Sequence, residues 1–177
     1  MNFKQLKFKG VYLITNIKIH DNRGYFSRIY CESEFKKKKL NTKWVQFNKS
    51  FNKKKYTFRG LHFQKKPYEE IKIIKCAKGE IIDLILDIRK NSKTYLKLLK
   101  INLSSRNDSM LYLPKGIAHG FITTKTNTEV FYMHSVRYNK SHSDGYNIFD
   151  KKIRCKIKDK IKLISKKDKN LRSIYAL

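Results

Sequence analysis

Hydrophobic and polar residues alternate along most of this chain with a period of two, and hardly any stretch shows the longer helical period. Near the start GVYLITNIKIH alternates and DNRG supplies a turn. FSRIYCESEF follows, and EFKKKKL fits one short helical turn. WVQFNKSF alternates again, and a lysine-rich loop begins at Asn52. Next come TFRGLHFQ, IKIIKCAKGEIIDLILDI, TYLKLLKINLS, MLYLPKGIAHGFITT and TEVFYMHSVRY. Within these, AKGE and PKGI each place Gly at a turn, where a positive φ meets no Cβ clash. About nine short strands at a spacing of roughly ten residues predict an all-β sandwich or barrel. Beyond Asp150 the chain is lysine-rich and weakly patterned, so an irregular or short helical tail packed on the barrel is expected. With no internal repeat and no linker, residues 1–177 read as a single domain.

One strand repays closer reading. In IIDLILDIR, Ile82, Leu84, Leu86 and Ile88 fall on one face and Asp83, Ile85, Asp87 and Arg89 on the other. The first face reads as a sheet–sheet core. If the second lines a barrel interior, Asp83 is a buried acid that needs a partner, for which histidine is the natural candidate. Otherwise Asp83 faces water.

Composition narrows the class. Hydrophobic residues make up 40% and aromatic residues 13%, which excludes a disordered chain. No apolar run approaches the roughly 18–20 residues needed to span a bilayer, and MNFKQLKFKG lacks the pattern of a signal peptide. Cys31, Cys76 and Cys155 are odd in number, far apart and in no CxxC pair, which suits a reduced cytoplasm and bystander thiols. The net charge of +28 raises nucleic acid as a partner. Lysine, however, supplies 34 of the 42 basic residues and arginine eight, although arginine is the residue that clamps phosphate and reads guanine edges. Together with abundant Ile and Asn, this composition reads as codon drift toward A and T, with lysines spread over solvated faces. It argues against a nucleic-acid partner.

Five histidines are candidates for chemistry: His20, His62, His119, His134 and His142. A strand that binds metal commonly presents two ligands as HxH, because alternate residues share a face, and no pair here has that spacing; HExxH is also absent. No metal site is expected. His62 in RGLHFQ and His119 in PKGIAHGF stand in the most suggestive surroundings.

These strings also occur together in a known order. RGLHFQ, then Pro67 and Lys72, KGEIIDLILDIR, the S-x-T-Y of Ser92 to Tyr95, LYLPKGIAHGF and TEVFYM resemble the dTDP-4-dehydrorhamnose 3,5-epimerase family. DNRGYFSRIY and the Gln46-x-Asn48-x-Ser50 pattern match upstream, and SKKD at 165–168 is a weaker echo. The resemblance implies a cupin jelly-roll barrel, a homodimer, and epimerisation of a nucleotide-linked keto sugar without a cofactor. His62 matches the family's base and Tyr132 its acid. Lys72 matches the position beside the developing enolate oxygen, and Asp168 the carboxylate that orients the histidine. Arg59 and His119 match diphosphate-binding positions, with Arg23 expected to touch the nucleotide. Gln46 and Asn48 would line the sugar or base pocket, and Tyr138 would stack on the pyrimidine. Asp83 is expected to orient a histidine from behind.

The chain departs from the family pattern at Arg28, where many members carry an acid, and at Glu70 and Ile71 before Lys72. It departs again at Ser143, at Asp144 and Ile148 within DGYNIFD, and at RCKI from Arg154 to Ile157. These positions bear on the sugar, the base and the number of centres inverted. A mono-epimerase or ketoisomerase on another nucleotide sugar is therefore the alternative within the scaffold. A non-catalytic basic cupin that binds a sugar nucleotide or nucleic acid is the alternative outside it.

Overall fold

The computed structural model describes residues 1–153 and 160–174, so the RCKI departure and Cys155 lie outside the described residues. The chain opens with β1 (Asn2–Gln5), β2 (Tyr12–Thr15), the hairpin β3 (Lys18–Asp21) and β4 (Gly24–Ser27), and helix α1 (Glu32–Lys37). It continues through β5 (Gln46–Asn52), β6 (Phe58–Gln64), β7 (Lys72–Lys78), β8 (Glu80–Asp87) and β9 (Leu98–Ser104). Last come β10 (Ser109–Leu113), β11 (Ile117–Thr123), β12 (Thr128–His134), β13 (Ser143–Gly145) and helix α2 (Lys166–Lys169).

Two antiparallel sheets face each other in a jelly roll. The six-stranded sheet runs β1-β2-β10-β7-β12-β5, and the five-stranded sheet runs β13-β6-β11-β8-β9. This is the cupin jelly roll that the resemblance implies, and among the described residues no strand pairing joins the two ladders. Several sequence units also divide. GVYLITNIKIH splits into β2 and the exposed hairpin strand β3. In FSRIYCESEF, the ESEF end is helical, with acids in the first turn of α1 and lysines in the last, as the helix dipole favours. The turns fall where glycine permits them, at Gly79 (φ +79°) and Gly116 (φ +77°).

The alternation of each strand builds three layers of core. Between the sheets, Ile74, Cys76, Leu111, Leu113 and Val130 meet Ile81, Ile85, Leu103, Ile117 and Phe121. On the outer face of the six-stranded sheet, Phe35 of α1 packs on Ile14, Ile73, Met110 and Tyr112. Leu84 and Leu86, whose face was expected to be the sheet–sheet core, point the other way. They pack beneath the C-terminal tail, against Ile148, Ile153 and Ile174. The Asp83–Ile85 face is the interior one. The reason is that β8 is covered on both sides, so both of its faces carry buried apolar residues and hydrophobicity alone cannot say which meets the other sheet. Each fully buried Ile, Leu or Phe in these layers contributes about 1.5–3 kcal/mol.

The S-x-T-Y motif proves to be structural. Asp87 accepts from Ser92 Oγ at 2.6 Å, Thr94 Oγ1 at 2.6 Å and Arg89 Nη2 at 2.7 Å. Burial alone would raise its carboxyl pKa, but these donors hold it at about 2. Because the folded value lies below the unfolded one of about 3.9, this group's stabilisation is complete above pH ~4 and drains away toward pH 2. Asp87→Ala is expected to cost about 2–4 kcal/mol in urea melts at pH 7. Most of that difference between variant and parent should vanish near pH 2.

Candidate active site

At one end of the sandwich the interior rows change from apolar to polar. On the six-stranded sheet, the register sets Gln46, His134 and Lys72 side by side across β5, β12 and β7. The next row holds Asn48, Tyr132 and Ile74. On the facing sheet His62 lies opposite His119, while Arg59 lies opposite Phe121. Arg59 and His62 are three apart and would normally point to opposite faces. A register shift in the β6–β11 pairing brings both inward. It occurs where Gly60 (φ +137°) meets Gly120 so closely that a Cβ on Gly60 would lie 2.5 Å from the Gly120 Cα. The two walls enclose a cleft of about 600 Å³.

His62 and Asp168 are joined at 2.8 Å between Nε2 and Oδ1. Asp168 comes from α2, whose N-cap Ser165 accepts from the Asp168 backbone N–H, and its second oxygen accepts from the Gly60 N–H at 3.3 Å. Burial works against the charged form of Asp168, but the hydrogen bonds from His62 and the Gly60 N–H hold the carboxyl below the ordinary aspartate range. An ionised carboxylate only accepts, so Nε2 carries the proton and Nδ1 is the nitrogen left to act as a base.

Tyr132 is partly buried in the cleft wall, and desolvation there pushes its phenol far above the ordinary value. It therefore stays protonated at any ordinary pH, with its hydroxyl 3.1 Å from Ser50 Oγ. Lys72 Nζ is paired with Glu70 at 2.9 Å, both side chains being about nine-tenths buried. His119 is anchored from behind by Asp83, Nε2 to Oδ2 at 2.7 Å, so the acid on the interior face of β8 has its histidine. Arg59 Nε donates to Asn52 Oδ1 at 2.7 Å. Gln46 Oε1 accepts from the Tyr138 backbone N–H at 2.9 Å, which fixes the segment that carries the exposed Tyr138 ring to the cleft wall.

Nine of the ten expected catalytic and substrate-binding residues thus line one cleft: Gln46, Asn48, Arg59, His62, Lys72, His119, Tyr132, Tyr138 and Asp168. Arg23 does not. It sits at the tip of the β3–β4 hairpin with its side chain 90% exposed, paired to Asp21 at 2.6 Å. The departures have local explanations. Arg28 lies near Glu34, at 3.7 Å. Asp144 pairs with Arg172 of the tail at 2.9 Å. Ile148 fills the core beneath the tail, and Ser143 lines the cleft. Among the other residues of the wall are Ser50, beside the Tyr132 hydroxyl, and His134, paired to Glu70 at 2.7 Å, neither of which sequence reasoning had placed in a role. Their signal was parity, since each shares a face with an expected site residue two positions away.

Asp168→Ala should destabilise the fold by about 1–3 kcal/mol, since it strips partners from His62 and the Gly60 N–H. As its folded pKa is depressed, the urea-melt difference should hold at neutral pH and shrink as pH falls below the carboxylate range.

Comparison with known proteins agrees with this geometry. Residues 5–175 match the family model described as dTDP-4-dehydrorhamnose 3,5-epimerase. The enzyme of that name from Sinorhizobium fredii is 38% identical over 145 residues, covering 82% of this chain and 74% of the relative. The one from Shigella flexneri is 35% identical over 151 residues, covering 85% and 83%. Among solved structures, the Bacillus anthracis dTDP-4-dehydrorhamnose 3,5-epimerase with TDP and PPi bound superposes with a TM-score of 0.93. It is 31% identical, and the match covers 98% of this chain and 99% of that one. A 4-keto-6-deoxy sugar epimerase from the novobiocin gene cluster of Streptomyces spheroides superposes at 0.92 with 26% identity, covering 98% and 87%. With the family model spanning nearly its whole length, the chain belongs to the dTDP-4-dehydrorhamnose 3,5-epimerase family.

Proposed function

We propose that this protein, folded as a single catalytic domain, epimerises a nucleoside-diphosphate 4-keto-6-deoxy sugar, converting dTDP-4-dehydro-6-deoxyglucose to dTDP-4-dehydrorhamnose for deoxysugar biosynthesis. The observation that carries the reading is a carboxylate-oriented imidazole on one sheet and a desolvated, protonated phenol on the other, both facing one cleft. His62 Nδ1 takes the proton from a carbon beside the C4 ketone, and the bonding pair moves into an enolate. The Lys72 ammonium stabilises the charge that gathers on the enolate oxygen. Tyr132 delivers its proton to the other face of the carbon, while Ser50 hydrogen-bonds the phenolate left behind. Solvent then recharges Tyr132 and discharges His62, which leaves the centre inverted with no cofactor consumed.

The outer nitrogens of Arg59 and the ring of His119 receive the diphosphate. Gln46 and Asn48 hydrogen-bond the sugar or base, and Tyr138 stacks on the pyrimidine. The TDP carried by the Bacillus anthracis relative supports a thymidine nucleotide. Proton NMR in D₂O with dTDP-4-keto-6-deoxyglucose tests the reading, with deuterium expected at both C3 and C5. Label at one carbon alone would make the enzyme a mono-epimerase, and none would point to a different sugar nucleotide. His62→Ala is expected to slow exchange about 10²–10⁴-fold. Tyr132→Phe should still exchange the proton facing His62 while forming no inverted product.

The enzyme acts as a homodimer in the cytoplasm, where Cys31 and Cys76 remain thiols. Outer-face residues Phe47, Phe51 and Phe131 are 66%, 51% and 44% exposed beside an apolar groove of about 340 Å³, a surface that a second copy would cover. Pairing would also give the outlying Arg23 a neighbouring cleft to serve. Phe131→Lys should weaken the dimer at least tenfold in sedimentation velocity.

A further inference from the structure

Glu70 and His134 stand in the wall of the cleft, yet the mechanism above assigns neither a task. Glu70 is a buried carboxylate with two partners: Lys72 Nζ at 2.9 Å on Oε1 and His134 Nδ1 at 2.7 Å on Oε2. His134 lies directly across the ladder from Lys72, its ring stacks on Tyr132 with a 24° interplanar angle, and its Nε2 is 3.3 Å from Asn48 Nδ2. Four polar side chains from three strands and a loop therefore form one continuous path.

We propose that Glu70 and His134 are positioning residues, a relay that fixes the Lys72 ammonium at one end and orients the Asn48 amide at the other. This rests on the epimerase reading above. Ionised Glu70 only accepts, so His134 Nδ1 carries its proton, and in the neutral ring Nε2 accepts. Asn48 must then offer Nε2 its NH₂ group, as the 3.3 Å contact has it. This leaves Asn48 Oδ1 as the atom presented to the substrate, an acceptor that selects for a donor such as a sugar hydroxyl or a pyrimidine imide N–H. At the other end, a buried ammonium is tolerated only with a counter-charge. Glu70 supplies that charge from the side and so sets where Nζ lies relative to a bound ketone.

Two substitutions separate the two ends. Glu70→Gln can still accept from His134, but it turns an NH₂ toward Lys72 and displaces the ammonium. It should lower kcat about 10–100-fold with KM little changed. His134→Phe keeps a ring against Tyr132 and leaves the Glu70–Lys72 pair, but it frees the Asn48 amide. It should raise KM about tenfold with kcat nearly intact. Equal losses in both constants for both variants, or wild-type kinetics in either, would overturn the relay. Wild-type protein that exchanges no deuterium with the sugar nucleotide would refute the epimerase reading instead, and the relay can be judged without turnover. A downfield imidazole N–H resonance in the proton spectrum should be present in the parent and in His62→Ala, and lost in both His134→Phe and Glu70→Ala. A parent spectrum with no His134-dependent resonance would rule the relay out.

Discussion

Along every strand only alternate side chains can reach the space between the two sheets, and this constraint shapes both the stability and the chemistry of the molecule. Over most of the sandwich the inward rows are apolar, as with Ile74 and Leu111 against Ile85 and Phe121. At one end the same rows continue as Lys72, His134 and Gln46 facing His62 and Arg59. The active cleft is thus an extension of the core in which polar groups replace apolar ones at positions the pleat already aims inward. The shift where Gly60 and Gly120 touch adjusts that aim so that two residues three apart line the same cleft.

Polar groups in such a wall must bring their partners with them. Three imidazoles do so in the same way, each against a carboxylate from another element: His62 with Asp168, His119 with Asp83 and His134 with Glu70. The first two hold rings that line the cleft. The third touches the lysine on which the enolate charge depends. Local low polarity strengthens these pairs, and the same low polarity keeps Tyr132 a proton donor.

Much of this was legible in the sequence. Period two gave the β class, glycine marked the turns, and ordered strings such as RGLHFQ and LYLPKGIAHGF pointed to the epimerase family. The partner of Asp83 followed from the cost of burying an unpaired acid. What escaped has physical reasons. A strand apolar on both faces, like β8, does not reveal which face meets the other sheet. GVYLITNIKIH gives no sign that it divides between a sheet and an exposed hairpin. Arg23 sits in a matching motif, but its string cannot say that the hairpin tip lies away from its own cleft. The pairing of Glu70 with His134, 64 positions apart, depends on a register that no local pattern encodes.

The carboxylate that orients His62 lies 106 residues further along the chain, in a four-residue helix beyond the last strand of either sheet. The core between the two sheets is built without that helix, from Ile74, Leu111, Ile85, Phe121 and their neighbours. The tail that bears Asp168 also seals Leu84 and Leu86 and is tied back by the Asp144–Arg172 pair. Docking of the tail therefore covers that face of the five-stranded sheet and gives His62 its carboxylate in one step, so in the proposed mechanism the packing of the fold and the orientation of the base are coupled.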